Sequence, residues 1–324
     1  MSPSPGRRSG KRSGSVPPTR GAARGTPGSR RGAPVGGGRG GAGAPDGASR
    51  PAPRGRHGLG GDQVEGRRAV RELLAAGRRP VHEVWMADDL DPSPLLDEIE
   101  RLAARRRARL RVVPRRRLEA EARTDAPQGV LARAAALAET DLDDLCRSDG
   151  GPAPFLVVFD GVTDPHNLGS MLRSAECAGV TGVIVPRHRA AHVTPTVTKV
   201  AAGAVEHLAM AVVPGVPSAL QRMTQAGVTT VGLDAAADSS LFALADDVRV
   251  NGGGGVDLAG PVALVIGAEG KGLASLTRRR CAVVVSIPQQ GTIESLNVAA
   301  AGAVAFFEVA RTRRAALRRA AAPR

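Results

Sequence analysis

Two stretches of this chain carry polar residues in patterns able to do chemistry: Asp160 to Arg173 (DGVTDPHNLGSMLR) and Gly267 to Asn297 (GAEGKGLASLTRRRCAVVVSIPQQGTIESLN). The first offers Asn167 and Arg173, the second Glu269, Ser295 and Asn297. A carboxylate accepts hydrogen bonds and protons, an amide both donates and accepts, and a guanidinium grips anions with a planar fork of donors. Guanidinium, with a pKa above about 12, is a poor general base. Each residue also has a bland reading. An arginine off the apolar face of a helix is usually a solvated charge, a serine before a helix is often only a cap, and one acid in a glycine turn is unremarkable.

Strand-to-helix joints must position these groups. FLVVFD ends at Asp160, and Asp164-Pro165 reads as N-cap and first helical residue. Asn167 then falls in the first turn, while Leu168, Met171, Leu172 and Ala175 form an apolar stripe that excludes Arg173. Glu269 follows PVALVIG, at the carboxyl edge where open α/β sheets bind ligands. The glycines of GAEGKG fit neither a P-loop nor a dinucleotide fingerprint; they allow close approach of backbone to a flat ligand. From Phe155 onward FLVVF, GVIVP, TTVGL, VALVIG and AVVVSIP alternate with helical stretches, which predicts a doubly wound α/β domain with a parallel sheet covered on both faces.

Residues 63–136 read as a smaller α/β domain: a helix in GRRAVRELLAAG closed by Gly77, a strand VHEVWM, a helix with Pro94 in its first turn, and strands in LRVV and QGVLARA. Residues 137–154 form an acidic, then Gly/Pro-rich linker, and 155–313 the larger domain. His188 and His192 are four apart, but Pro186 upstream and the missing third ligand argue against zinc.

Taken together, the two stretches resemble the signature motifs of the SpoU/TrmH branch of the SPOUT superfamily, enzymes that move a methyl group from S-adenosylmethionine to a ribose 2'-hydroxyl of RNA. The opening V-x-G-R-x-A-V at Val64 to Val70 and the Q-G-V at Gln128 to Val130 resemble the substrate-binding domain of its ribosomal RNA members; Pro127 stands where His is usual. The resemblance covers roughly residues 63 to 311 and is strongest to the 23S ribosomal RNA guanosine branch. It implies a C-terminal trefoil-knotted α/β domain and a homodimer with the cofactor pocket near the subunit interface. It assigns Asn167, Arg173, Glu269, Ser295 and Asn297 to catalysis, and Gly267, Ile287 and Leu296 to backbone contacts with S-adenosylmethionine. The resemblance implies that Arg173 handles the ribose hydroxyl, as a base, or its neighbouring phosphate; a clamp that holds the 2'-hydroxyl in line is the easier role for a guanidinium, with Glu269 orienting Arg173 or the nucleophile. Replacing Gly267 by Val is expected to cost cofactor binding before it costs the fold. No metal is expected, because a sulfonium is already an activated methyl donor. Two rivals are the same chemistry on transfer RNA and a non-catalytic ribosome-binding protein; loss of Glu269, Asn167, Arg173 or Asn297 would mark the latter, and all four are present.

The charge agrees with an RNA partner but is unevenly placed. Residues 1–60 hold twelve Lys/Arg against Asp46, or +11 of the net +14, which leaves +3 for the rest of the 324 residues. With no Leu, Ile, Phe or Trp before Leu59, residues 1–62 are expected to be a disordered basic tail. Tyrosine is absent and Trp85 is the one tryptophan, so arginines must carry most of the grip on RNA; Arg105 to Arg107 and Arg115 to Arg117 are candidate clusters. No apolar run of membrane-spanning length occurs, and Cys146, Cys177 and Cys281 form no C-x-x-C pair. Both point to a cytoplasmic protein without a membrane partner, its cysteines small core residues.

Overall fold

In the computed structural model of the chain, residues 58–188, 192–244, 256–293 and 295–321 are described. The tail as far as residue 57 and the glycine run at 251–255 lie outside them. The expected tail boundary at 62 is too late. Leu59, the first large apolar residue, is buried in the core of the larger domain, and Gly60 bridges Val193.

In the first domain β1 (Gln63–Glu65), β2 (Val81–Ala87), β3 (Arg109–Val113) and β4 (Val130–Ala134) form a sheet in the order β1-β4-β2-β3. Only β2 and β3 are parallel. Helix α1 (Arg67–Ala76) ends at Gly77, whose φ of 57° suits glycine. Val70, Leu73 and Leu74 pack with Leu96 and Ile99 of α2 (Pro94–Arg105). Helix α3 (Arg115–Glu121), which buries only Leu118, had too little periodicity to be predicted.

The linker contains α4 (Leu142–Leu145), capped by Asp141 and seated on the larger domain through Leu142 and Leu145. Then follow β5 (Phe155–Asp160), α5 (Pro165–Ala178), β6 (Gly182–Pro186), α6 (Pro195–Val200), a 3-10 turn (Ala204–Glu206), β7 (Met210–Val213), α7 (Val216–Gln225), β8 (Thr229–Leu233), β9 (Ser239–Ser240), β10 (Val262–Gly267), α8 (Ser275–Arg280), β11 (Val283–Ser286) and α9 (Val298–Ala320). The strands order as β7-β6-β5-β10-β8-β11-β9, all parallel. Alternation along β5 explains the layers. Phe155, Val157 and Phe159 meet α5 and α9 on one face; Leu156 and Val158 meet α4 and α7 on the other. The predicted strands are all present, and β7 and β9 are additions; β9, two serines paired to β11, carries no apolar signal.

Both domains belong to one compact unit, Gly55–Arg324. Arg79 joins them. Its Nη2 lies 2.5 Å from Glu206 Oε1 and its Nε donates to Glu206 Oε2 at 2.9 Å, with the two side chains 5% and 1% exposed. Arg79 also donates to the Gly61 and Ala135 carbonyls, and His207 Nε2 lies 2.9 Å from Glu72 Oε2 of α1. Among the described residues no helix is long and apolar enough to cross a membrane.

Candidate active site

Asp164 caps α5 as predicted, its Oδ1 accepting from Asn167 N at 2.7 Å. That cap leaves the Asn167 amide free to point across the carboxyl edge of the sheet. Its Nδ2 donates to Glu269 Oε2 at 2.9 Å, and its Oδ1 accepts from Asn297 Nδ2 at 3.1 Å. The Oδ1 of Asn297 in turn accepts from Ala299 N and Ala300 N at 2.9 and 3.3 Å, so Asn297, and not Ser295, is the N-cap of α9. Three residues 102 and 130 positions apart thus form one row, whose donors and acceptors leave a single consistent orientation for both amides.

Two clefts meet at this row. One, of about 620 Å³, has the Ile266–Gly272 backbone as its floor and Leu233, Asp234, Ile287, Leu296 and Ser295 among its walls. The other, of about 760 Å³, is lined by Asp160, Asp164, Asn167, Lys271 and Glu269. Glu269 faces both. Asp234 is neutralised by an ion pair with Arg278, and Asp160 Oδ2 accepts from Ala274 N at 2.9 Å, tying the glycine turn to β5. Burial, with the Asp160 charge adding, pushes the Cys281 thiol up to about 11, so it stays neutral at physiological pH.

The first cleft fits S-adenosylmethionine. Its floor is glycine-rich backbone, Ile287 and Leu296 are apolar walls, and its size lies within the range of about 300–1,000 Å³ usual for such ligands. One expectation is corrected here. A Cβ on Gly267 would lie 2.2 Å from the Gly272 carbonyl carbon and 2.5 Å from Leu273 N. The turn itself, closed by Ala268 and Gly272 bonding each other's backbone, leaves no room for a Cβ at 267, so a side chain there is expected to cost stability along with the pocket.

Residues 154–307 match the SpoU rRNA methylase family, and residues 63–140 match the RNA 2'-O ribose methyltransferase substrate-binding domain. The chain belongs to the SpoU rRNA methylase family. It is 41% identical over 208 residues to the 23S rRNA (guanosine-2'-O-)-methyltransferase RlmB of Shewanella oneidensis, covering 63% of this chain and 79% of that protein. To RlmB of Ralstonia nicotianae it is 42% identical over 215 residues, covering 65% and 81%. Among solved structures it is similar to the SpoU methyltransferase AviRb of Streptomyces viridochromogenes in complex with the cofactor AdoMet, with a TM-score of 0.62 and 27% identity, over 78% of this chain and 90% of that one.

Not every predicted residue of this SpoU-family methyltransferase joins the row. Ser295 lines the first cleft without a hydrogen bond from the described residues. Arg173 lines a separate cleft between the domains, and Glu269 bonds Asn167 in place of orienting Arg173. The arginine clusters also divide: Arg106 donates to the Leu74 and Ala75 carbonyls at the end of α1, Arg117 stacks over Trp85 at 5.3 Å, and Arg115 pairs with Asp89. Cys146 is buried, but Cys177 is exposed on α5. Sequence reasoning missed Asp160 and Asp234. Both end apolar strands at the same sheet edge as Glu269, so the rule that found Glu269 also marks them.

Proposed function

We propose that the protein methylates the ribose 2'-hydroxyl of a guanosine in 23S ribosomal RNA, with S-adenosylmethionine in the Gly267–Gly272, Ile287 and Leu296 cleft and the acceptor ribose approaching through the Asp164–Lys271 cleft. The observation that carries this reading is the Glu269–Asn167–Asn297 row standing where the two clefts meet. When bound, S-adenosylmethionine supplies a methyl carbon activated by its sulfonium. Asn167 holds Glu269 by Oε2, which leaves Oε1 to accept the hydrogen of the 2'-hydroxyl and take its proton; the bound cofactor would give up its methyl by cleavage of the S–C bond and leave as the neutral thioether S-adenosylhomocysteine. Asn297, fixed by capping α9, fixes Asn167, so the acceptor is oriented by groups that need not reorganise. Ser295 adds a hydroxyl at the cofactor side, and Arg173 serves the RNA phosphate.

In this reading residues 63–136 hold the RNA, 137–154 connect, and 155–313 carry out the transfer in the cytoplasm. The return of β10 to the middle of the sheet, between β5 and β8, supports the trefoil knot, and the exposed Val304 and Phe307 of α9 support a homodimer. Mapping 2'-O-methyl groups in ribosomal and transfer RNA from a deletion strain tests the function. Loss of one 23S guanosine methylation is expected; loss confined to transfer RNA would assign the rival substrate, and no loss would overturn the reading.

A further inference from the structure

The cleft that holds Arg173 has an unusual lining. It measures about 590 Å³ and lies between the first turn of α1, with Arg67 and Arg68, and a wall from α5 and α6, with Arg173 and Lys199; Arg115 stands at its edge. Five cations so close together repel one another, and Arg67 and Arg68 at the start of a helix also oppose its dipole. Arg115 pairs with Asp89 and Arg67 bonds Gln128, but folding does not explain the other three. Among the described residues Arg68, Arg173 and Lys199 make no ion pair with a carboxylate. The one acid in the lining, Glu65, is buried and already accepts from Gln63 Nε2, Arg123 N, Thr124 N and Thr124 Oγ1.

The walls are held in place. Gln128 Oε1 accepts from Arg67 N at 3.2 Å while Arg67 Nε donates to Gln128 O at 3.1 Å, so one rim is pinned to the loop before β4. A Cβ on Gly66 would lie 3.3 Å from Gln128 Oε1 and 3.5 Å from Lys199 Cγ, which places the two domains in contact at the cleft floor. The buried Arg79–Glu206 pair fixes the domains beside it. Arg173 follows Asn167 by six residues of α5, about 9 Å along the helix at about 1.5 Å per residue. Six residues also turn about 600° at about 3.6 residues per turn, so Arg173 lies on a different side of α5 from Asn167, and a strand whose ribose lies at Asn167 reaches this cleft by passing around the helix.

We infer that the interdomain cleft is a phosphate-binding site for the RNA backbone, in which Arg68, Arg173 and Lys199 hold phosphates of the strand that carries the methylated ribose. The inference rests on the proposed RNA methylation. It gives the two domains a joint role: neither alone presents all the cations, and the locked junction sets the register between grip and chemistry.

The test uses the full chain, an unmethylated 23S rRNA transcript, and the double variant Arg68→Gln, Lys199→Gln. Transcript binding across a salt series, methyl transfer kinetics and S-adenosylmethionine calorimetry are read separately. The expected result is a rise of about tenfold in the KM for RNA at low salt and a slope of log affinity against log salt shallower by about 0.7–0.9 for each cation removed, with cofactor affinity held. Lys199→Arg, which keeps the charge, should restore most of its share. Arg101→Gln, an exposed cation of α2 outside the cleft, should alter the slope less. A double variant with the wild-type slope and KM would overturn the cleft, as would Arg101→Gln changing the slope as much. A wild type that binds the transcript but transfers no methyl group to it would overturn the proposed function instead.

Discussion

The cofactor cleft and the interdomain cleft are built from different materials. The first is glycine backbone, apolar walls and the amides of Asn297 and Gln289; its charges are Asp234, neutralised by Arg278, and Glu269 and Lys271 on the turn. The second is lined by Arg67, Arg68, Arg115, Arg173 and Lys199, with Glu65 the one acid of its lining and Arg115 paired to Asp89. Methyl transfer needs one hydroxyl at one distance and angle, so neutral groups fixed by mutual hydrogen bonds suit it. Holding a polyanion needs charge, and tolerates small displacements because Coulomb attraction falls off slowly. Damage to the first should therefore appear in rate, and damage to the second in affinity and salt dependence.

The sharpest break in that comparison is Asn167→Ala. It severs the row that joins Glu269 to Asn297, and kcat should fall about 100-fold or more, while affinity for S-adenosylmethionine changes by no more than about threefold. A tritiated-methyl assay beside calorimetry checks this; retained turnover would show that the row only braces the fold. Next comes Gly267→Val. Its Cβ would collide with the Gly272 backbone, so loss of about 3 kcal/mol or more in denaturant unfolding should accompany loss of cofactor binding. A stably folded variant that binds no cofactor would restore the view that this glycine serves the ligand alone.

Arg79→Ala leaves the Glu206 carboxylate buried without its partner, which should cost about 3–5 kcal/mol of stability. In the fraction that stays folded, RNA affinity should fall while cofactor affinity holds, because the junction shapes only the interdomain cleft. The smallest effect is expected from removing residues 1–57. They carry twelve cations against one acid, and the cut spares Leu59, which belongs to the core. Methylation should continue at the same nucleotide, with weaker RNA binding at low salt and a shallower salt slope. A changed target nucleotide would move selectivity into that segment.

How far the chain could be read in advance depended on locality. The strands FLVVFD, GVIVP and VALVIG announced themselves as continuous apolar runs, and the α5 stripe of Leu168, Met171, Leu172 and Ala175 as a helical period, because burial on both faces or on one face leaves a mark within a few residues. Asp164 as cap was legible for the same reason. β9, with two serines, and α3, with one buried leucine, bury too little apolar surface of their own to leave such a mark; they are held by neighbours far along the chain.

The sequence by itself singled out Asn167, Glu269, Ser295, Asn297 and Arg173 as candidates through the resemblance of their motifs to the SpoU/TrmH family, and local pattern placed Asn167 and Glu269 just past the ends of apolar strands. It also set the charge division between residues 1–60 and the rest. Only the tertiary structure decided that Asn167 binds Glu269 and Asn297 while Arg173 faces another cleft, and that the turn leaves no room for a Cβ at Gly267. Hydrogen bonds between residues more than a hundred positions apart depend on the strand order, and the interdomain cleft depends on how α1 seats against α6. Neither pairing of distant elements is written in any one stretch of the sequence.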